Sequence, residues 1–159
     1  MTDNGGIIMQ EVSKVAFGCD PNAAELKNYL IKVCKELGYE TIDFGSDDII
    51  YANTAFSVAK HVAAGKSDRG VLICGTGIGM SIAANKVKGA YAALISDAYS
   101  AERAQLSNNA NIACFGAFTL GTKLAETLLK IWLGLSFDEK SSSGPKVRRV
   151  IDFEKESLV

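Results

Sequence analysis

The fold is decided by residues 71–86, which read Val71-Leu-Ile-Cys74-Gly-Thr-Gly-Ile-Gly79-Met-Ser-Ile-Ala-Ala-Asn-Lys86. A short apolar run enters a turn with three glycines at alternate positions, and an alanine-rich segment of helical character follows. Glycines in such a turn let backbone N–H groups converge without obstruction from Cβ atoms, and the start of a helix adds positive potential. The order of strand, glycine turn and helix predicts an α/β sheet with a site for an anion.

Short apolar runs alternate with longer segments of helical spacing along the rest of the chain. The apolar runs predict strands at Val15–Cys19, Thr41–Phe44, Gly70–Cys74, Tyr91–Ile95 and Asn111–Phe115. The segments between and after them predict helices at Ala23–Leu37, Thr54–Ala64, Gly79–Lys86, Ser100–Ser107 and Thr119–Leu133. This alternation is typical of an open, doubly wound parallel sheet of five strands with helices on both faces. Ligands of such sheets bind beyond the carboxyl ends of the strands.

The length of 159 residues favours one domain with two short extensions. We expect a polar leader at residues 1–13 and the sheet domain at residues 14–137. Residues 138–159 contain a serine-rich loop and a short helix predicted at Lys146–Ser157. That helix is too small to form a domain, so we expect it to pack on its own chain or on a partner subunit.

Composition and charge exclude several classes of partner. Seventeen basic and 18 acidic side chains give a net charge of −1, which provides no positive field for nucleic acid or an anionic membrane. No apolar run reaches the roughly 18 residues that a membrane-spanning helix needs. Four widely spaced cysteines without a CxxC pair, and one histidine, argue against a zinc site or a disulfide scaffold. We therefore expect no metal and a cytoplasmic protein with reduced thiols.

Cys74 is the first candidate for chemistry because it ends a strand directly before the glycine turn. N–H groups and a helix terminus there favour a thiolate, which can act as a base or a nucleophile. The alternative is that Cys74 is a small buried apolar residue, as we expect for Cys34 and Cys114. A dinucleotide site with Asp97 is a second alternative, but the spacing is GxGxG rather than GxGxxG.

Several motifs resemble those of the type B ribose-5-phosphate isomerase and galactose-6-phosphate isomerase family. They are Gly18-Cys19-Asp20, Tyr51, Cys74–Gly79, Ser81–Lys86, Tyr99-Ser100-Ala101 and Asn108–Asn111. The resemblance runs from about Lys14 to about Arg149. It implies a Rossmann-like fold, no metal or organic cofactor, and a homo-oligomer (dimer or tetramer) whose active sites are shared between subunits.

The resemblance also implies roles for individual residues. Cys74 corresponds to the base that moves a proton between C1 and C2 of an open-chain sugar phosphate through a cis-enediolate, and Thr76 to its partner at the oxygens. The remaining matches bind substrate: Asp20, Tyr51, Gly75, Gly77, Gly79, Asn108 from the neighbouring subunit, and Arg149 at the phosphate.

The chain departs from the family pattern at four positions. Pro21 and Ser107 stand where the ribose-phosphate enzymes have histidines, and Phe118 and Pro145 stand where arginines are expected. The remaining histidine, His61, is predicted to be a solvated surface residue without a role. The histidine that opens a furanose ring is therefore missing, whereas the isomerisation residues remain.

These departures suit a substrate that needs no ring opening. A tetrose 4-phosphate carries its phosphate on O4, so it cannot close a five-membered ring. Tyr51-Ala-Asn53 and residues 101–110 also resemble the branch that acts on D-erythrulose 4-phosphate. We therefore expect conversion of D-erythrulose 4-phosphate to D-erythrose 4-phosphate.

Three alternatives remain. The first is a ribose 5-phosphate to ribulose 5-phosphate isomerase of the pentose phosphate pathway. The second is a subunit of a hetero-oligomeric isomerase of the galactose 6-phosphate type. The third is a nucleotide-binding α/β module, which would not need a thiol before the glycine turn.

Overall fold

The computed structural model describes residues 12–156. The strands are β1 (Lys14–Cys19), β2 (Glu40–Asp43), β3 (Arg69–Cys74), β4 (Ala92–Leu94) and β5 (Ile112–Gly116). The helices are α1 (Ala24–Glu36), α2 (Tyr51–Ala63), α3 (Ile78–Ala84), α4 (Ala98–Leu106), α5 (Thr122–Leu133) and α6 (Gly144–Glu156). A 3₁₀ turn at Pro21–Ala23 precedes α1.

The five strands form one parallel sheet in the order β2-β1-β3-β5-β4. The chain moves outward from β1 to β2 and then crosses to β3 on the other side of β1, so the winding direction changes between β1 and β3. The predicted α/β, Rossmann-like, doubly wound architecture is confirmed. In such a sheet the crevice outside the carboxyl ends of the two strands at this reversal is the usual place for a ligand.

Both faces of the sheet are covered by helices. Phe17, Ile73 and Phe115 point to one face, where they pack with buried residues of α1, α4 and α5. Leu72, Cys74 and Cys114 point to the other face and pack with α2 and α3. Strands with apolar side chains on both faces are expected in a parallel sheet that is covered on both sides.

Element boundaries differ from the prediction where side-chain caps or turns intervene. Helix α2 begins at Tyr51 rather than Thr54, because Asp48 accepts hydrogen bonds from the Ile50 N–H and the Asn53 amide ahead of its first turn. Helix α5 begins only at Thr122, since residues 117–120 form a turn that closes back on Gly116.

Two expectations outside the sheet have different outcomes. Residues 1–11 of the predicted leader lie outside the described residues, whereas Ser13 is fixed to the Asp68 carboxylate through its backbone N–H and its hydroxyl. The prediction of a solvated His61 is wrong. His61 is half-buried against the edge of Phe44, at 5.1 Å between ring centroids, and its Nε2 atom is buried. No helix within residues 12–156 is long and apolar enough to cross a membrane.

Candidate active site

Cys74 and Asp20 flank the crevice at the winding reversal. Cys74 ends β3, and Asp20 follows the last residue of β1, with its N–H bound to the Ile73 carbonyl at 3.2 Å. The Asp20 carboxylate is itself held in place, because its Oδ1 accepts the Asn22 N–H at 3.0 Å. Strand pairing and this cap therefore bring a thiol and a carboxylate to adjacent strand ends.

The glycine turn curls around the sulfur of Cys74. Gly77 has a φ of +78°, and a Cβ atom there would meet the Phe115 backbone at 2.9–3.0 Å, so the turn requires glycine. This conformation aims the Gly77 N–H at the Cys74 Sγ atom, at 3.1 Å. A donor held at that distance stabilises negative charge on sulfur. Thr76 is exposed beside it, and its hydroxyl oxygen accepts the Ile78 N–H at 3.3 Å.

Two aromatic rings lie on the glycines of this turn. The Tyr51 ring covers Gly79, where an added Cβ would stand 2.6–2.8 Å from the Tyr51 ring and hydroxyl. The Phe118 ring covers Gly75 in the same way, at 2.9–3.0 Å, and Phe118 remains 73% exposed. The structure thus places an apolar ring at the mouth of the crevice, at one of the positions where the resemblance predicts an arginine.

The other three cysteines are fully buried, whereas Cys74 retains a small exposed surface. Burial raises the pKa of Cys19 to about 11 and that of Cys34 to about 12. Burial likewise raises the pKa of Cys114, with a further rise from the neighbouring Cys74. These thiols stay protonated near neutral pH, which agrees with the prediction that Cys34 and Cys114 are core residues.

Asn108 and Arg149 lie at the other edge of the sheet. Asn108 belongs to the turn between α4 and β5, and that turn meets the amino end of β3, where the Gly70 N–H binds the Asn111 carbonyl. Arg149 is on α6, whose Glu154 binds Gly89 and Tyr91 directly before β4. One chain therefore does not bring these two predicted residues to Cys74.

A cleft of about 640 Å³ lies beside Asn108 at this amino edge. One wall is α6, with Lys146, Val147 and Val150, and the opposite wall includes Ser107 and Asn108. Val150 is 58% exposed. The cleft therefore offers polar atoms and an open apolar surface next to one of the predicted substrate-binding residues.

The residues that depart from the family pattern have local structural roles in this chain. Pro21 and Pro145 both stand in the first turn of a helical segment, where a missing N–H costs nothing. Ser107 caps the end of α4, and its hydroxyl oxygen accepts a hydrogen bond from Arg103 at 3.3 Å. Asp97, the residue of the dinucleotide alternative, is engaged at the start of α4, where it accepts the Ser100 N–H and hydroxyl.

Sequence reasoning missed one ion pair close to the crevice, in which the lysine is buried and the carboxylate is exposed. Lys27 is 3% exposed and binds the Asp43 Oδ1 atom at 2.6 Å, and the same oxygen accepts the Gly45 N–H. The sequence feature that could have indicated this pair is a lysine on the apolar face of α1, directly after Leu26 in the chain. Within residues 12–156 no group of three or more His, Cys, Asp or Glu side chains could hold a metal ion.

Comparison with known proteins explains this combination of fold and loop. A family model described as Ribose/Galactose Isomerase matches residues 15–150. The chain belongs to the ribose/galactose isomerase family. This confirms the resemblance and identifies an aldose–ketose isomerase of phosphorylated sugars.

Individual relatives carry different substrate names. Ribose-5-P isomerase B of Listeria innocua is 46% identical over 90% of this chain and 95% of that protein. D-erythrulose-4-phosphate isomerase 2 of Mycolicibacterium smegmatis is 40% identical over 96% of this chain and 93% of that protein. The structure of ribose-5-phosphate isomerase B from Clostridium thermocellum superimposes with a TM-score of 0.85 at 36% identity, covering 91% of this chain and 99% of that one.

Proposed function

We propose that this isomerase interconverts D-erythrulose 4-phosphate and D-erythrose 4-phosphate, with Cys74 as the base. The observation that carries the proposal is the sulfur of Cys74, which ends β3 at the winding reversal, accepts the Gly77 N–H and lies one strand from Asp20. A thiolate there has an N–H-rich turn beside it and a carboxylate at the end of the adjacent strand.

The proposed reaction moves protons within the substrate and keeps all electrons of its bonds in the substrate. The thiolate removes a proton from C1 of the ketose, the C–H electrons form the C1–C2 double bond, and the C2 carbonyl oxygen becomes the oxyanion of a cis-enediolate. Backbone N–H groups of Gly75, Gly77 and Gly79 stabilise that charge. Thr76 passes the proton between the two oxygens, and the thiol returns its proton to C2. The scheme needs no redox cofactor, because no electron leaves the substrate.

The other proposed contacts orient the substrate. Asp20 binds its hydroxyl groups, and the Tyr51 ring closes the crevice over Gly79. Asn108 and Arg149 reach this site from a second copy of the chain in a homo-oligomer, with Arg149 at the phosphate. The placement of these two residues at the sheet's opposite edge supports a shared site, since an intact site then requires two chains.

Ribose 5-phosphate is the second candidate substrate, favoured by the name and identity of the Listeria innocua relative. A hetero-oligomer is the third possibility, because a galactose-6-phosphate isomerase subunit of Clostridium acetobutylicum is 36% identical over 75% of this chain and 70% of that subunit. This chain retains Cys74, which supports activity without a second kind of subunit.

One assay separates these candidates. Purified chain is tested alone on four-, five- and six-carbon ketose and aldose phosphates, with Cys74→Ala as the control for contaminating isomerase. We expect the highest kcat/KM for D-erythrulose 4-phosphate. Higher kcat/KM for ribose 5-phosphate reverses the substrate order, and activity only after addition of a homologous chain supports the hetero-oligomer.

A further inference from the structure

Helix α6 is weakly packed on the rest of the protein. Gly144 is its only buried residue within Gly144–Glu156, and its side chains Arg149, Val150 and Phe153 are exposed. Val147 and Ile151 are half-buried along the cleft wall. Because little apolar surface holds α6, its polar attachment decides where the helix stands.

The polar contacts that the structure describes between α6 and the sheet domain converge on Glu154. Its two carboxylate oxygens accept the Gly89 N–H at 3.1 and 3.2 Å, and Oε2 also accepts the Tyr91 hydroxyl at 2.9 Å. A carboxylate bound by a backbone N–H and a phenol makes charge-assisted hydrogen bonds, which are stronger than neutral ones. Burial and the bond to Glu154 raise the pKa of Tyr91 to about 12, so the phenol remains a donor throughout the neutral range.

This attachment lies at the end of the cleft that α6 borders. Tyr91 itself lines the cleft, as do Val147 and Val150 of the helix. Arg149 precedes Glu154 by five residues, a rise of about 7.5 Å along the helix. The Glu154 contacts therefore attach α6 to a residue of the cleft wall at a point about 7.5 Å along the helix from Arg149.

We propose that Glu154 is a positioning residue, which binds Gly89 and Tyr91 and thereby fixes α6 so that Arg149 is pre-organised for the phosphate of the substrate. The inference rests on the proposed function for the role of Arg149. If α6 were loosely attached, phosphate binding would have to order the helix and its Arg149 guanidinium. This entropic cost would lower the affinity for the substrate. Such a loss affects substrate and transition state equally, so it raises KM and leaves kcat nearly unchanged.

Three variants of the full-length protein test this role. Glu154→Ala removes the hydrogen bonds to both Gly89 and Tyr91, and Tyr91→Phe removes the bond to Tyr91 alone. The control is Asp152→Ala, which deletes an exposed carboxylate of the same helix whose ion pair with Lys155 is long, at 4.0 Å. We expect Glu154→Ala to speed hydrogen exchange in α6 and to raise KM roughly 5- to 30-fold, the effect of one or two kcal/mol.

The remaining variants give a graded expectation. Tyr91→Phe should change the hydrogen exchange of α6 and the KM in the same direction as Glu154→Ala, but by less. It also tests the inference if Glu154→Ala does not fold. Glu154→Gln, which keeps one neutral acceptor oxygen in place of the carboxylate, gives a KM between those of wild type and Glu154→Ala. Asp152→Ala matches wild type in exchange and in KM.

Each result decides the inference. Unchanged exchange of α6 in Glu154→Ala overturns the attachment, and faster exchange with unchanged KM overturns the positioning role. If wild-type protein turns over no sugar phosphate, the proposed function fails. The affinity for inorganic phosphate, measured by calorimetry on wild type and Glu154→Ala, then decides the positioning role separately: weaker binding in the variant supports it and equal binding overturns it.

Discussion

Cys74 and Asn108 lie at opposite edges of the same parallel sheet. Cys74 ends β3 and pairs with Gly116 at the carboxyl end of β5, whereas Asn108 comes before Ile112, which begins β5. The five residues of β5 span about 13 Å at 3.3 Å per residue. A substrate that touches both side chains must therefore bind between two copies of the chain.

This separation predicts that two inactive variants complement each other. Cys74→Ala lacks the proposed base and Asn108→Ala the proposed partner contact, so each homo-oligomer is inactive or severely impaired. Hybrid oligomers contain one site with both wild-type residues, and we expect partial recovery of turnover after subunit exchange. Mass spectrometry of the mixture verifies exchange, and no recovery in a verified hybrid places the site within one chain.

Removal of the Cys74 thiol tests the proton transfer itself. We expect Cys74→Ala to fold like wild type and to lose roughly 10²–10⁴-fold in kcat, the usual contribution of a positioned acid–base group. The variant should also stop exchanging the C1/C2 proton with deuterated water, followed by NMR. Cys34→Ala, which alters a thiol in α1, is the control with unchanged kcat. Retained exchange in Cys74→Ala would refute the assignment.

Thiol reactivity should distinguish Cys74 from the other three cysteines. Cys74 is 6% exposed at the crevice, and the others have no exposed surface. Because burial raises the pKa of Cys19 to about 11 and that of Cys34 to about 12, these thiols remain protonated at pH 8. We expect iodoacetamide to add one group, at Cys74, in step with loss of activity. Peptide mapping checks the site, and faster labelling of Cys19 contradicts the prediction.

Much of this arrangement could be predicted from the sequence, for identifiable reasons. Residues 71–86 specify strand, turn and helix through local rules, and the structure has a strand ending at Cys74, the glycine turn and helix α3 in that order. The contacts of Phe118 with Gly75 and of Glu154 with Gly89 join residues 43 and 65 positions apart. No local pattern encodes such contacts, because they depend on how the sheet and its crossovers pack.

The start of β1 should depend on pH through Asp68. Its carboxylate is partly desolvated by burial, which raises its pKa, but hydrogen bonds from Ser13 and Lys14 outweigh this and the net pKa is lowered. Such a group stabilises the fold above its unfolded pKa of about 3.9, and the stabilisation is lost as pH falls through the folded-state pKa. We expect Asp68→Ala to lower the free energy of unfolding at pH 7.

The same variant should differ less from wild type in acid. Urea unfolding at a pH below the lowered folded-state pKa of Asp68 should give a smaller difference in free energy than at pH 7. Asp138→Ala, which removes a carboxylate from an exposed turn, is the control. An Asp68→Ala deficit that is equal at both pH values contradicts the ionic origin of the stabilisation.

Substrate preference should follow from the residues at positions 21 and 107. Proline has no side-chain proton to donate, and a serine hydroxyl is a far weaker acid than an imidazolium near neutral pH. Opening of a furanose phosphate would then rely on its slow uncatalysed rate, whereas D-erythrulose 4-phosphate is already open. We therefore expect kcat/KM to favour D-erythrulose 4-phosphate, with the largest deficit for ribose 5-phosphate.

Restoring an imidazole tests this explanation directly. Ser107 lies next to Asn108 on the cleft, so in the proposed shared site a histidine there would enter together with the Asn108 amide. We expect Ser107→His to raise the rate with ribose 5-phosphate more than the rate with D-erythrulose 4-phosphate, because only the first substrate has a ring to open. Ser107→Ala should leave the ratio of the two rates unchanged. If wild type prefers ribose 5-phosphate, another group opens the ring and the substrate order is reversed, whereas the enediolate chemistry at Cys74 is unaffected.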